Sequence, residues 1–332
     1  MRYFITLVAL LFSITANAQE WEDRKVFEGS KNAKVLRILS STDTSFFAPV
    51  IQSYQAINPN VSVEYLVTGT AALDEIFRNS PEQFDIVVSS AMDLQLKLVN
   101  DGFGAKVDSI AHPSWAQWRQ SLFAFTIEPA AIVINKAAFK GRNIPKTRQD
   151  LIQELRSRPQ FFQNKLGTYD VRQSGLGYLF ATQDARASET YWRLMEVMGR
   201  IGTNLYCCSG EMIDDLTSGK IAVAYNVLGS YANARKQKDA QIEVILPAEF
   251  PTTMMRTALV STQAQSGENA IGFIRHLLHS QSAKALGNDR KLPPLVLEPG
   301  QQTITIEPAL MTYLDRLKRQ TFIKEWERAI IQ

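Results

Sequence analysis

The stretch VLRILSSTDTSFFAPVIQSYQAINPNVSVEYLVTGTAALDEIFRNSPEQFDIVVSSAMDLQLKLVNDG, residues 35–102, holds three apolar runs, each followed by a polar turn and a helix-spaced segment. Residues 35–39 read as a short buried strand. Residues 40–45 supply helix-capping side chains, and 46–57 show helical spacing. Asn58-Pro59-Asn60 stops that helix, 61–67 alternate as a second strand, and Thr68-Gly69-Thr70 turn into a helix over 71–78. Residues 84–88 are a third strand, Ser89-Ser90 its turn, and 92–100 a helix closed by Asp101-Gly102. Three such units predict a parallel sheet with helices on both faces. Small ligands of these sheets sit beyond the carboxyl ends of the strands. Here hydroxyls and glycine recur at three of those ends, so a polar cleft suited to an anionic or polyhydroxyl ligand is expected.

Outside this stretch, residues 19–33 read as a polar leader, and 123–135 as one long extended run interrupted by Glu128-Pro129. A strand of that length can pass from one sheet into another. Helical spacing returns at 148–156. Residues 165–168 read as a strand end, 172–178 open a helix, and 184–198 and 211–218 read as single helices. Residues 220–225 read as a strand feeding a turn at 226–230, and 242–246 as another strand. Residues 253–261 form a second extended run, with helical spacing over 268–286 and 308–330.

The chain has 332 residues, 45% apolar and 21% charged, with a net charge of +3. That composition excludes a collagen-like repeat, a disulfide-dense mini-protein and a polytopic membrane protein, and the length suits two domains with their own cores. So small a charge gives no argument for nucleic acid or a membrane surface, and a monomer is expected. Arg2, the apolar run 4–12 and Ala16-Asn17-Ala18 make the three-part pattern of a cleaved secretory signal peptide over residues 1–18. A periplasmic location is expected. Cys207 and Cys208 are the whole cysteine complement. Two readings stay open for them: a vicinal disulfide in an oxidising compartment, or two buried thiols. No histidine spacing suits a metal, and neither a nucleophile elbow nor His-Glu-x-x-His is present. Neither cofactor nor metal nor catalysis is expected.

Four segments carry a resemblance: TDTSFFAPVIQSYQAINPNVSVEYLVTGTAAL (42–73), FDIVVSSAMDLQLKLVNDGFG (84–104), GKIAVAYNVLGSYA (219–232) and TTMMRTALVS (252–261). In their order, between long crossover runs, the chain resembles the periplasmic solute-binding proteins of ABC transporters. It is similar to their second structural class, in the group of ferric-ion-binding and phosphoglycerate-transport regulatory proteins. The resemblance implies an α/β fold of two Rossmann-like lobes joined by two hinge strands (type II). Lobe one would comprise residues 31–127 and 251–332, and lobe two 128–250. The hinges would lie near Ile127 to Pro129 and Thr252 to Arg256.

The resemblance also implies ligand contacts from Thr42, Thr68, Gly69, Thr70, Ser90 and Ala91 in lobe one. Lobe two would add Arg172, Ser174, Gly175, Tyr225, Asn226 and Ser230. It implies hinged capture of a small solute and delivery to a transporter permease, or presentation to a membrane sensor kinase. Ferric-binding relatives have two adjacent tyrosines at the cleft. This chain has Tyr225 and Tyr231 six residues apart, which counts against iron. Arg172, beside Ser174-Gly175, reads as a receptor for a carboxylate or phosphate, or as a solvated arginine. Arg256 among apolar neighbours pairs with a carboxylate or faces the ligand. Asp43 and Asp93 read as helix caps. The leading expectation is a receptor for a small anionic metabolite, with ferric binding and sensing as alternatives and a secreted hydrolase as the least favoured.

Overall fold

The computed structural model describes residues 21–281, 291–298 and 300–332, so the expected signal segment and the end of the helix expected over 268–286 lie outside the described residues. The decisive stretch folds as its periodicity predicts. The elements are β2 (Lys34–Ser40), α1 (Thr44–Ile57), β3 (Val61–Val67), α2 (Thr70–Asn79), β4 (Ile86–Ser89) and α3 (Met92–Asn100). Strands β3, β2 and β4 run parallel. Before them the leader contributes a strand that alternation did not reveal, β1 (Asp23–Phe27), antiparallel to β3. Edge pairing through backbone groups needs no apolar side chains, and four of its five residues are exposed.

The extended run expected over 123–135 is two strands. After β5 (Gln117–Trp118), β6 (Leu122–Ala124) stays in the first sheet and β7 (Glu128–Asn135) enters the second. The next elements are α4 (Arg148–Ser157), α5 (Pro159–Phe162), β8 (Leu166–Tyr169), α6 (Gly175–Ala187), α7 (Thr190–Ile201), β9 (Thr203–Tyr206) and α8 (Ser209–Thr217). The helix expected over 184–198 is therefore broken. Ser188 adopts an extended backbone, and its Oγ accepts from the Thr190 N–H at 3.1 Å, ending α6 and starting α7. β10 (Val223–Leu228) runs three residues past its expected end, with a register shift between Ala224 and Val227 and a positive φ of 64° at Asn226. Where a turn was expected, α9 (Gly229–Lys236) begins directly. β11 (Ile242–Ile245), β12 (Thr253–Met254), β13 (Thr257–Val260), α10 (Gly267–Ser280), a 3-10 segment (Pro308–Leu314) and α11 (Arg316–Ile330) complete the chain.

Two sheets result. The first has the order β1-β3-β2-β4-β13-β6-β5 and the second β11-β7-β10-β8-β9. This is the two-lobed α/β architecture the resemblance implied. One departure concerns the C-terminus. Residues 251–332 were expected in lobe one, but α11 packs on α7, placing Phe322, Trp326, Ala329 and Ile330 in the second sheet's core. The physical cause is close approach: a side chain at Gly199 of α7 would meet the Ala329 carbonyl at 2.3 Å. Glycine there lets the two helix backbones touch.

Besides the passage from α10 to α11, the chain crosses between lobes along two adjacent segments. β12 pairs with the start of β7, Thr253 opposite Pro129 and Met254 opposite Glu128. At that crossing Arg256 Nε donates to Glu128 Oε1 at 2.9 Å and Nη2 to Oε2 at 3.2 Å, with side-chain exposures of 1% and 0%. Thr126 Oγ1 donates to the same carboxylate at 2.8 Å, and Ser230 Oγ of α9 donates to its other oxygen. Arg256 Nη1 reaches Thr42 Oγ1 before α1. Every charge in this group is paired, as burial demands. Replacing one partner should therefore be costly. Glu128→Gln, which strands the Arg256 charge, is expected to lower unfolding free energy by about 3–5 kcal/mol. Urea denaturation measures it, and an unchanged midpoint would contradict this account.

Candidate functional site

Between the sheets lies a cavity of about 360 Å³. Its first wall is built from loops at the carboxyl ends of β2, β3 and β4: Ser41 and Asp43, Thr68-Gly69-Thr70, and Ser90. Glu22 joins them because β1 pairing sets its backbone N–H on the Val67 carbonyl at 2.9 Å. The facing wall holds Tyr169 at the end of β8, Ser174 and Leu176 at the start of α6, and Cys207, Cys208, Ser209, Gly210, Glu211 and Asp214 around the start of α8. Leu228, Tyr231 and Arg256 finish the lining.

The walls touch on both flanks of the cavity. On one side Tyr231 Oη donates to Asp43 Oδ1 at 2.9 Å, and its ring stacks on Phe46 with centroids 4.4 Å apart. On the other, the Leu176 N–H donates to Thr70 Oγ1 at 3.1 Å. A Cβ on Gly175 would lie 2.9 Å from Leu94 and 3.3 Å from Ala91, so the bare glycine allows α6 to rest on α3. This is a closed arrangement.

Within the cavity the charges are mostly negative. Partial burial first, and the Asp43 and Glu211 carboxylates second, raise the Glu22 pKa above the ordinary range, against a lowering hydrogen bond from the Gly69 backbone. Arg256 brings no free charge, since Glu128 neutralises it. Asp214 pairs with Arg235 at the rim. Cys207 and Cys208 are joined as a disulfide at the turn into α8, with Glu211 Oε2 3.5 Å from Cys207 Sγ. Ser209 Oγ shares a hydrogen with Tyr169 Oη and accepts from the Leu228 N–H at 3.2 Å, tying α8 to β8 and β10.

Of the residues singled out in the sequence, Thr68, Gly69, Thr70, Ser90 and Ser174 line the cavity. Thr42, Ala91 and Gly175 stand behind its walls, packed against Arg256, Gly175 and α3 respectively. Arg172 is elsewhere. Asp170 takes its Nε at 2.8 Å and Nη2 at 2.6 Å, Glu327 receives Nη1 at 3.4 Å, and the guanidinium lies 5.8 Å over the Trp326 ring. A carboxylate two residues away and an aromatic face on α11 turn the side chain from the cleft. Tyr225 and Asn226 are also internal. Asp184 accepts from Tyr225 Oη at 2.6 Å, Asn226 Nδ2 at 2.9 Å, Arg148 Nη2 at 2.9 Å and Thr252 Oγ1 at 2.5 Å. That network clamps α4, α6 and β10 to the second crossing. Ser230 serves Glu128 at the first.

Sequence reasoning missed Glu22, Tyr169, Glu211, Asp214 and Tyr231, and read Asp43 as a cap; its side chain makes no cap hydrogen bond and faces Tyr231 instead. The only local signal was the position of Glu211 in the first turn of α8. No group of three His, Cys, Asp or Glu able to hold a metal occurs among the described residues, nor is any described helix long and apolar enough to cross a membrane.

Known proteins share this fold. The substrate-binding protein of an ABC transporter from Agrobacterium tumefaciens superposes with a TM-score of 0.86 and 27% identity, over 93% of this chain and 98% of that one. A periplasmic thiamin-binding protein gives 0.68 and 18%, over 93% and 100%. A periplasmic binding protein of Actinobacillus pleuropneumoniae, with exogenous fructose-6-phosphate bound, gives 0.69 and 14%, over 90% and 99%. These last two show likeness of fold. No curated protein matches the chain. With a match to the family over residues 82–316 and a cavity between two lobes, the chain belongs to the bacterial extracellular solute-binding proteins.

Proposed function

We propose that this receptor serves an ABC transporter and captures in the cavity a small organic solute bearing a positive centre. The lining carries the reading: Glu22, Asp43 and Glu211 supply carboxylates, Asp214 is taken by Arg235 at the rim, and the basic lining residue, Arg256, is already neutralised by Glu128. A cation lodged between Glu22 and Asp43 on one wall and Glu211 on the other relieves the repulsion that adds to burial in raising Glu22. Thr68, Thr70, Ser90, Ser174 and Ser209 suit the polar remainder of the solute. The start of α8, which has no side-chain cap, suits an anionic group on the same molecule. An anionic metabolite, expected from the sequence, thus keeps support at one end of the site but loses Arg172, its main counter-charge. Thr42, Ala91, Gly175, Tyr225, Asn226 and Ser230 shape the walls and the crossings rather than meet the solute.

Binding is non-covalent. A solute that touches both walls favours the closed form by its differential affinity, and closure is what the transporter reads.

A thermal-shift panel of amines, zwitterionic amino compounds, sugar phosphates and organic acids tests the charge. An amino-bearing compound should give the largest stabilisation, about 2.7 kcal/mol at a hundredfold excess over its Kd. Glu22→Gln and Glu211→Gln should each weaken that compound by about tenfold, or about 1.4 kcal/mol. A best compound lacking any positive centre overturns the reading. In the same assay Arg172→Ala should leave affinity unchanged, and a tenfold loss would return Arg172 to the site.

A further inference from the structure

Asp93 sits where the lobes meet, and nothing in the cavity uses it. The residue is 2% exposed, and its Oδ1 is buried without a hydrogen-bond partner among the described residues. Gln95, two residues along α3, leaves both amide atoms in the same condition. Native cores seldom tolerate such groups, because each forfeits its hydration without replacement. A surface that must part and rewet is where they persist at least cost.

The neighbours of Asp93 come from both lobes. Asp74 lies on α2 of the first lobe and adds a like charge. Arg319 on α11 and Tyr178 on α6 belong to the second lobe's packing. Arg319 lies 4.5 Å over the Tyr178 ring, and Tyr178 Oη donates to the Tyr313 carbonyl at 2.6 Å in the 3-10 segment against α3. No ion pair within 4.0 Å joins Arg319 to Asp93 among the described residues. Relief comes first from the Asp93 and Leu94 backbone N–H groups at the start of α3, and then from the more distant charge of Arg319.

We infer that the lobes close with uptake of a proton at Asp93, so that closure, and with it solute retention, strengthens as the surroundings turn acidic. Burial, the largest cause, pushes this carboxyl up to about 7, outweighing the backbone N–H groups and Arg319. A carboxyl whose pKa is higher in the closed form than in the open one favours closure below the ordinary carboxylate range. That support is lost as pH rises from about 4 to about 7 and stays lost above. The inference rests on the proposed parting of the lobes for solute release.

The mature protein without solute, as wild type and Asp93→Asn, is followed by thermal unfolding and by the radius of gyration in solution scattering between pH 5 and 8. Asparagine keeps the shape and cannot ionise. The Tm of Asp93→Asn should exceed that of wild type by a margin that widens by a few degrees from pH 5 to 7 and then levels. Wild type should expand over the same range more than the variant. Parallel Tm curves, or equal expansion, overturn the inference. If Asp93→Asn does not fold, a carbon-13 NMR titration of the wild-type carboxyl decides, with a midpoint below about 5 against it. A wild-type radius that responds to neither pH nor any compound of the thermal-shift panel sinks the hinged-receptor reading itself, which is a separate result.

Discussion

The Arg256–Glu128 pair is the interaction on which the two-lobed arrangement turns. It lies where β12 runs beside the start of β7, and its hydrogen bonds reach Thr42 ahead of α1 and Ser230 in α9. Two charges this deep earn little net stability over a well-packed apolar pair, but removing either is severe. Their value is directional. A planar guanidinium with five donors and a carboxylate with two oxygens allow few alternative geometries, so the pair specifies how the segments cross. The same arginine faces the cavity, which links the crossing to whatever occupies it.

From that crossing outward, the cavity is a meeting of strand ends. Three parallel strands deliver their loops to one wall, while β8, β9 and β10 deliver theirs to the other. The disulfide belongs to this wall logic. In the chain-entropy picture a cross-link stabilises through the length of the loop it closes, and adjacent residues close almost none. Its contribution is therefore local shape: it stiffens the turn that presents Ser209, Gly210 and Glu211. An exposed Cys207 in the cavity is consistent with a surface made for contact rather than for anchoring the fold.

How much of this was legible depended on range. The units from Lys34 to Asn100 follow from spacing alone, because each element's apolar face is set within its own residues. The clefts' hydroxyl loops followed from the same units. Apart from the local break at Ser188, most of what failed required partners distant in sequence. β1 is defined by its register on β3, α11 by the gap at Gly199, and the fate of Arg172 by Glu327 and Trp326, some 155 residues away. Arg172 shows the hazard most clearly. Beside a glycine-rich helix start it reads as a receptor for anions, yet Asp170, two residues earlier, was visible in the sequence and already matched its fork. Glu22 shows the converse, since nothing local marks a leader residue as part of a cavity.

Charge then decides what closure means. A receptor closes on a solute only as far as the solute's affinities for the open and closed forms differ, and equal affinity shifts nothing. In the arrangement seen here Glu22 and Asp43 lie near Glu211, and Asp93 is buried at the seam. Both make the empty closed state less favourable at neutral pH. On the proposed reading, the free energy that a cationic solute would recover by screening the three cavity carboxylates is largely unavailable to it in the open form, where water already screens them. An arrangement that penalises empty closure enlarges the difference between occupied and empty receptor, and that difference is the signal a transporter can read.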